Sequence, residues 1–558
     1  MTIILLYYLF LFFLVLPFGI ILEKIVRINN SDSSLSIIFG LIFLNLFFSF
    51  WAFFFRLNYE VFYVTVLLSV LLYLIFREEI KIYFKNLNTQ WKLFSRFYKL
   101  LFSLLIPLVA LKSSGIPFIA DNESYYIQTI KWLNEYGFVN GLANLHIFLA
   151  QNSGWHTLQA GLNFSFLYDR INDINGFVVL ICSFFFLLEF QKKQQKTWLG
   201  YIPIFNILLF QFIDTPSPDL PILLICPILF YFFIDKQINT NTGKKFVLLF
   251  LWLTFIKLSV APLGLLFLLW INKPKIFKFF LASGSLFGIL WIAKNSIISG
   301  YPLYPFKYFA LDVDWLVPEK LHFFINDLTK KTGYFENNIL TEFSFLEKLK
   351  HWFLLSGINS FFNKGMVLLF LSTLLTKSFR KENRYKILYF ILLIHFVLIL
   401  ITSPQFRFFL PEFIFFSIVI VRDILNWQKK IHFIKPILII GVILPVIFLF
   451  PVSISKLTTN VHHKLFENFS VNQLVIPQPN SKYYDIKFEV KEKDNLLYYS
   501  PKENFFFYGT ANGNLPCVNE AYLNYFEYNY NIYPQMRSFD LKDGFYSFDN
   551  KETHKKPS

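Results

Sequence analysis

Apolar runs long enough to cross a bilayer recur along most of this chain, separated by short polar stretches. The hydrophobic pattern therefore predicts transmembrane helices before anything else. The first run is Thr2 to Leu22, followed by Leu35 to Phe55 and Val61 to Phe76. The first is too long for the apolar region of a signal peptide and no small-residue cleavage site follows it, so it reads as a retained span. Between runs lie clusters of basic residues: Lys24 and Arg27; Arg77, Lys81, Lys85, Lys92, Arg96 and Lys99; Lys192, Lys193 and Lys196; Lys236, Lys244 and Lys245; Lys273, Lys275 and Lys278; Lys377, Arg380, Lys381, Arg384 and Lys386; Lys429, Lys430 and Lys435.

Placing every basic cluster in the cytosol gives one consistent threading with about fourteen crossings, some of them short. They are expected at 2–22, 35–56, 59–76, 94–113, 174–190, 197–213, 218–234, 246–257, 260–271, 276–297, 355–377, 386–402, 406–422 and 433–455. The run 246–271 has basic loops at both ends, which demands an even number of crossings. It is expected to be a hairpin of two half-length helices with Lys257 and Ser259 near the tip.

The fold class expected is an all-α polytopic transmembrane bundle with a small extracytoplasmic tail domain containing short strands. Its divisions are 1–113 (spans), 114–173 (a large outer loop with interfacial helices), 174–298 (spans), 299–350 (an outer loop), 351–455 (spans) and 456–558 (the tail). The apolar stretch from Leu158 to Leu167 is too short to span and is expected to lie on or dip into the surface. In the tail, aromatic and polar residues mix around turn signals such as Asn512-Gly513-Asn514. Leu496 to Tyr499 and Phe505 to Tyr508 there predict short strands rather than helices.

Composition sharpens this in three ways. The chain of 558 residues is 55% hydrophobic, with a mean hydropathy of +0.49, more apolar surface than a soluble domain can hide. The net charge of +16 resides in the short loops, so it speaks for topology rather than for a nucleic-acid partner. The 75 phenylalanines, with abundant Ile, Asn and Lys, read as a nucleotide-composition bias and carry no functional argument. Cys182, Cys226 and Cys517 form neither a metal spacing nor a disulfide framework.

The threading delivers chemistry to one face. Asp121 and Glu123 lie in Asp121-Asn122-Glu123-Ser124-Tyr125-Tyr126, directly after the fourth span. One carboxylate there can take a proton from an acceptor hydroxyl, and the second can bind a hydroxyl or a cation. The alternative is acids complementing a helix N-terminus. Asp214 and Asp219 share a Pro-rich connection; Asp214 reads as a turn cap and Asp219, opening a span, as the better candidate. Lys257 is embedded in an apolar run, where an ionisable residue is costly and marks function unless it snorkels. Lys294 ends a span before the turn Ser299 to Pro305. Arg407 starts one, and Arg suits bidentate phosphate binding. His146 and His156 flank Asn152-Ser153-Gly154 with no zinc spacing; each can hydrogen-bond a phosphate or hydroxyl, with a structural role as the alternative.

With these residues in view, the chain resembles the GT-C superfamily of polytopic glycosyltransferases. In that superfamily an acidic motif follows an early span, in the first large extracytoplasmic loop, and a later Arg opens a helix on the same side. Asp121 and Glu123 are similar to the first feature and Arg407 to the second. The departures are the three spans ahead of the fourth and the Asn122 between the acids. The chain more closely resembles a family of bacterial multi-pass membrane proteins of uncharacterised activity, through Asn140 to His146, Ser217 to Pro221, Lys257 to Ser259 and Ser299 to Pro305.

The resemblance implies an inverting glycosyltransferase in the inner (plasma) membrane, with the acidic loop and tail extracytoplasmic. Its partners are membrane lipids, a polyprenyl-phosphate-linked sugar and a glycan or lipid acceptor. Asp121 is then the general base and Glu123 its helper. Lys257, Lys294 and Arg407 hold the lipid phosphate, while Asp219, His146 and His156 complete the binding site. No cofactor or metal is required, although the carboxylates leave a metal open. The alternatives are a surface polysaccharide polymerase or ligase with a lipid-diphosphate donor, and a transporter or non-catalytic assembly protein.

Overall fold

The computed structural model describes residues 1–29, 32–170, 174–194, 197–237, 239–335, 343–427, 433–450, 452–458, 465–502 and 505–549. Lys196, Lys429 and Lys430 of the basic clusters lie outside the described residues. The described residues are mostly helical, with their strands in the C-terminal part.

Among the described residues five helices are long and apolar enough to cross a membrane: Thr2–Ile25, Ser33–Trp51, Asn175–Lys192, Pro274–Ser299 and Asn383–Thr402. Counting each of two bent pairs as a single span makes seven. The expected crossings at 197–213, 218–234, 260–271 and 433–455 fall on shorter apolar helices, Trp198–Phe212, Asp219–Ile234, Leu258–Trp270 and Ile434–Leu449. Pattern alone equates an apolar run with a crossing, whereas the structure breaks several runs into pieces.

The first two helices cross closely because both carry glycine at the contact. A Cβ on Gly19 would lie 1.8 Å from the Ser36 carbonyl oxygen, and one on Gly40 would lie 2.3 Å from that of Val15. This is the small-residue packing that lets apolar helices approach without polar glue. Asp32 starts the second helix by accepting from the Ser34 and Leu35 amides at 3.1 and 3.4 Å, as an N-cap should. Pro274–Ser299 is the opposite case. Only 17% of its apolar window is buried, against 78% for Ser33–Trp51, so its Leu281, Leu286 and Ile289 face outward, as on the periphery of a bundle.

The loop expected before the fourth span is itself a helix, Arg77–Leu93, set at 88° to Tyr59–Ile75. It buries Ile80 and Tyr83 and exposes Glu78, Lys81 and Lys85, the division of an amphipathic helix lying along an interface. The hairpin is present as expected. Thr240–Ile256 ends where Lys257 turns extended, and a tight 3-10 helix, Leu258–Trp270, runs back. Trp270 stacks near Phe246 at 4.7 Å between centroids, which makes the two arms antiparallel with Lys257 to Ser259 at the tip.

The region after the fourth expected span is buried rather than draped over the surface. A π-helical turn, Asn122–Tyr126, leads into Ile127–Glu135, and short helices Leu142–Leu145 and Gly154–Leu162 follow with almost every residue buried.

The tail has the short strands expected of it, Leu496 to Tyr499 included, but not only those. It holds two antiparallel hairpins, Phe488–Lys493 with Leu496–Pro501 and Ile532–Met536 with Phe545–Asp549. It also holds a helix, Glu520–Tyr530, capped by Asn519, where only strands were expected. Phe505 to Tyr508 form no strand; their rings instead pack against one another and on the helix residues Tyr522 and Tyr525. Nor is the tail merely appended. The Thr510 and Ala511 amides donate to the Glu123 carbonyl, both at 2.8 Å, and the Phe545 amide to that of Asn140 at 2.9 Å. The Ser547 hydroxyl bonds Asn144 at 2.6 Å. Backbone groups of the 114–163 region thus find their partners in the tail, which satisfies the accounting that buried main chain demands.

Candidate functional site

Four of the singled-out side chains meet in one cluster. Arg407 Nη1 lies 2.5 Å from Asp121 Oδ2, and Lys257 pairs with Asp219. Lys257 Nζ also sits 4.1 Å from the centre of the Phe408 ring, which Arg407 approaches at 5.3 Å, so one aromatic ring serves both cations. Gln405 Oε1 accepts from Arg407 Nε at 2.9 Å and fixes the fork. Tyr126 donates to Asp121 Oδ2 at 3.4 Å. The Asp121 and Arg407 side chains remain 27% and 32% exposed, so this half is open, while Asp219 is buried at the start of its helix.

The local sequence explains the meeting. The Pro216-Ser217-Pro218 turn delivers Asp219 into the first turn of Asp219–Ile234, beside the tip where Lys257 leaves the hairpin. Arg407 belongs to a short 3-10 turn, Phe406–Phe408, directly ahead of Leu410–Trp427. Three helix ends and the Asp121 turn therefore converge. At the far end of Asp219–Ile234, about 24 Å away at 1.5 Å per residue, the partners change. Arg384 bonds the Ile234 and Lys236 carbonyls at 2.9 and 2.7 Å, and Lys192 and Lys236 pair with Glu189. The charged residues are thus sorted to two ends of the helical body.

The other expected site residues lie elsewhere. Glu123 points away from Asp121, since two residues along a helical turn are about 200° apart. Its carboxylate accepts from the Ser481 hydroxyl at 2.6 Å, the Lys482 amide at 2.9 Å and Asn122 at 2.9 Å. Burial pushes its carboxyl above the usual range against the pull of those donors. Glu123 fastens the tail, and its carboxylate meets other partners than that of Asp121. His146 stacks on Tyr522 of the tail at 4.5 Å, also outside the cluster. His156 lies one layer behind it, 4.9 Å from the Tyr126 ring. Lys294 is buried nearby and donates to the Asn152 carbonyl; among the described residues no carboxylate pairs with it. Asp214 is more than a turn cap. It forms a buried pair with Lys112 and accepts from the Phe118 amide at 3.4 Å.

Sequence reading missed His395 and Glu412, which pair with each other directly beneath the hairpin tip. The signal was the one applied to Lys257, an ionisable side chain inside an apolar run. Tyr126, Gln405 and Phe408 carry no such mark, because neutral residues beside a site look ordinary in sequence. Among the described residues no group of three or more His, Cys, Asp and Glu side chains converges as metal ligands.

Burial gives His146 and His156 a common pH signature. Desolvation lowers both to about 3 from the ordinary 6.5, with the nearby Lys294 charge adding to the effect on His156. Above pH 6.5 both are neutral folded or unfolded, so nothing is lost. Below it the unfolded chain takes up protons that the folded chain refuses, and stability falls until about pH 3. At pH 5 each histidine is expected to withdraw roughly 2 kcal/mol, at about 1.4 kcal/mol per pH unit. Thermal unfolding of detergent-solubilised protein between pH 7.5 and 5 should show this slope, reduced in His146→Gln/His156→Gln. An equal slope in both proteins would refute the assignment.

No curated protein and no solved structure matches the chain. A family model described as a domain of unknown function (DUF8201) matches residues 1–415. That stretch holds Asp121, Asp219, Lys257, His395, Arg407 and Glu412, and stops short of the tail. Since the match covers most of the chain, the protein belongs to the DUF8201 family.

Proposed function

We propose that this protein is a membrane glycosyltransferase of GT-C type, moving a sugar from a polyprenyl-phosphate donor to a cell-surface glycan or lipid acceptor on the outer face of the inner membrane. The observation that carries the reading is the cluster of Asp121, Arg407, Asp219 and Lys257, which combines a solvent-reached carboxylate with two cations on one aromatic ring. In the reaction, Asp121 takes the proton of the acceptor hydroxyl as its oxygen attacks the anomeric carbon. The bond from that carbon to the phosphate oxygen breaks, and the departing phosphate is held by Arg407 and Lys257. Both cations rest on carboxylates, which hold them in the apolar bundle until an arriving phosphate shares them. Glu123 takes no part in the chemistry. Sorting of the basic loops to the opposite end supports the outer placement of this cluster.

Purified protein in vesicles, given a polyprenyl-phosphate-linked labelled sugar and lipid acceptors, should attach a single sugar. Chain extension from a diphosphate donor would mean a polymerase instead, and movement of the donor without bond cleavage a transporter. Sidedness has its own check. Tyr528→Cys, at an 88% exposed tail position, should react with an impermeant maleimide in intact cells, and Lys85→Cys only after permeabilisation. The reverse pattern would put the cluster in the cytosol and end the proposal.

A further inference from the structure

His395 lies in the middle of Asn383–Thr402 and Glu412 in the first turn of Leu410–Trp427, both almost fully buried. His395 Nδ1 bonds Glu412 Oε1, and Nε2 lies 2.8 Å from the backbone carbonyl oxygen of Ser259. A carbonyl oxygen can only accept, so Nε2 carries a proton. One further proton must then lie between Nδ1 and Glu412, whether on the ring or on the acid. The other Glu412 oxygen has no partner among the described residues. Two groups this costly in an apolar bundle reach out to a third element, and the atom they hold is two residues beyond Lys257.

Glu412 follows Phe408 by four residues, so the tip is held at two points by one segment. Phe408 lies under the Lys257 ammonium, and the Glu412–His395 pair grips the Ser259 carbonyl. The break at Lys257 leaves backbone groups without helical partners, and such non-helical backbone within an apolar bundle needs partners from elsewhere.

We infer that His395 and Glu412 are positioning residues, a latch that fixes the tip of the 240–270 hairpin and thereby sets Lys257 against Asp219. The part Lys257 plays in holding a phosphate rests on the function proposed above; the latch itself does not, and its test needs neither donor nor acceptor. Ser259→Cys leaves the backbone carbonyl in place and provides a reporter, since the three native cysteines are buried. In that background the rate of maleimide labelling in detergent is the readout.

His395→Phe fills the space without donating, and Glu412→Leu removes the partner that fixes the ring. Each is expected to label about three- to tenfold faster, the factor that accompanies loss of one hydrogen bond. Glu412→Gln is expected to stay near the parent rate, because its amide donates to Nδ1 and leaves the proton on Nε2. Equal rates in all four proteins overturn the latch, as does Glu412→Gln labelling as fast as Glu412→Leu. If either apolar variant is not monodisperse on size exclusion, hydrogen exchange in the unmodified protein decides. The Val260 amide, bonded to the Lys257 carbonyl at 3.1 Å, should be protected, and exchange as fast as an exposed loop amide overturns the proposal. Failure of the unmodified protein to transfer sugar would count against the proposed chemistry and leave the labelling result untouched.

Discussion

Asp121→Asn should abolish most sugar transfer while leaving the protein in the membrane at its normal level. The substitution keeps the size and shape of the side chain and removes the base. General base catalysis contributes about 10²–10⁴-fold, so transfer should fall by that factor, measured with a labelled lipid-linked sugar. The fold should tolerate the change. The Asp121–Arg407 pair is about a third exposed, and such pairs add at most ~1 kcal/mol after solvent screening. Arg407→Lys should also lose activity, because a point charge replaces a fork that Gln405 holds flat. Full transfer by Asp121→Asn at normal abundance would leave the cluster as an ion-pair network with no chemistry.

The largest effect on stability is expected at Lys112 and Asp214. Their side chains are 7% and 0% exposed, and the Lys112 ammonium also faces the Phe448 and Phe466 rings at 5.6 and 5.9 Å. Asp214→Leu strands a buried cation, which costs about 3–5 kcal/mol. Replacing both residues, as in Lys112→Met/Asp214→Leu, should recover most of that, because an apolar pair needs no desolvation. Unfolding midpoints in detergent, at constant pH, distinguish the cases. If the double variant is no more stable than Asp214→Leu, the pair is not the source of the effect. This site adjoins the cluster without belonging to it, so the double variant should retain transfer.

Much of the fold was written in periodicity and charge. The helical body, the hairpin with Lys257 at its tip and the separation of basic loops from Asp121, Asp219, Lys257 and Arg407 all followed from runs of apolar residues and the placement of lysine and arginine. These are one-dimensional signals, because hydrophobic length and loop charge act on each segment separately.

What the chain order could not reveal was which neighbours each polar group would find. Asp121 and Glu123 are two positions apart in sequence, yet a helical turn aims one at Arg407 and the other at Ser481. Asp214 read as a cap until folding placed it against Lys112, and the tail read as an appendage until its amides met the Glu123 carbonyl. His395 and Glu412 became a pair only when two helices and a hairpin tip came together. Hydrophobic burial is roughly proportional to area and is not directional, so it can be read segment by segment. Hydrogen bonds and ion pairs depend on distance and angle between groups far apart in the chain, and only the packed structure supplies those.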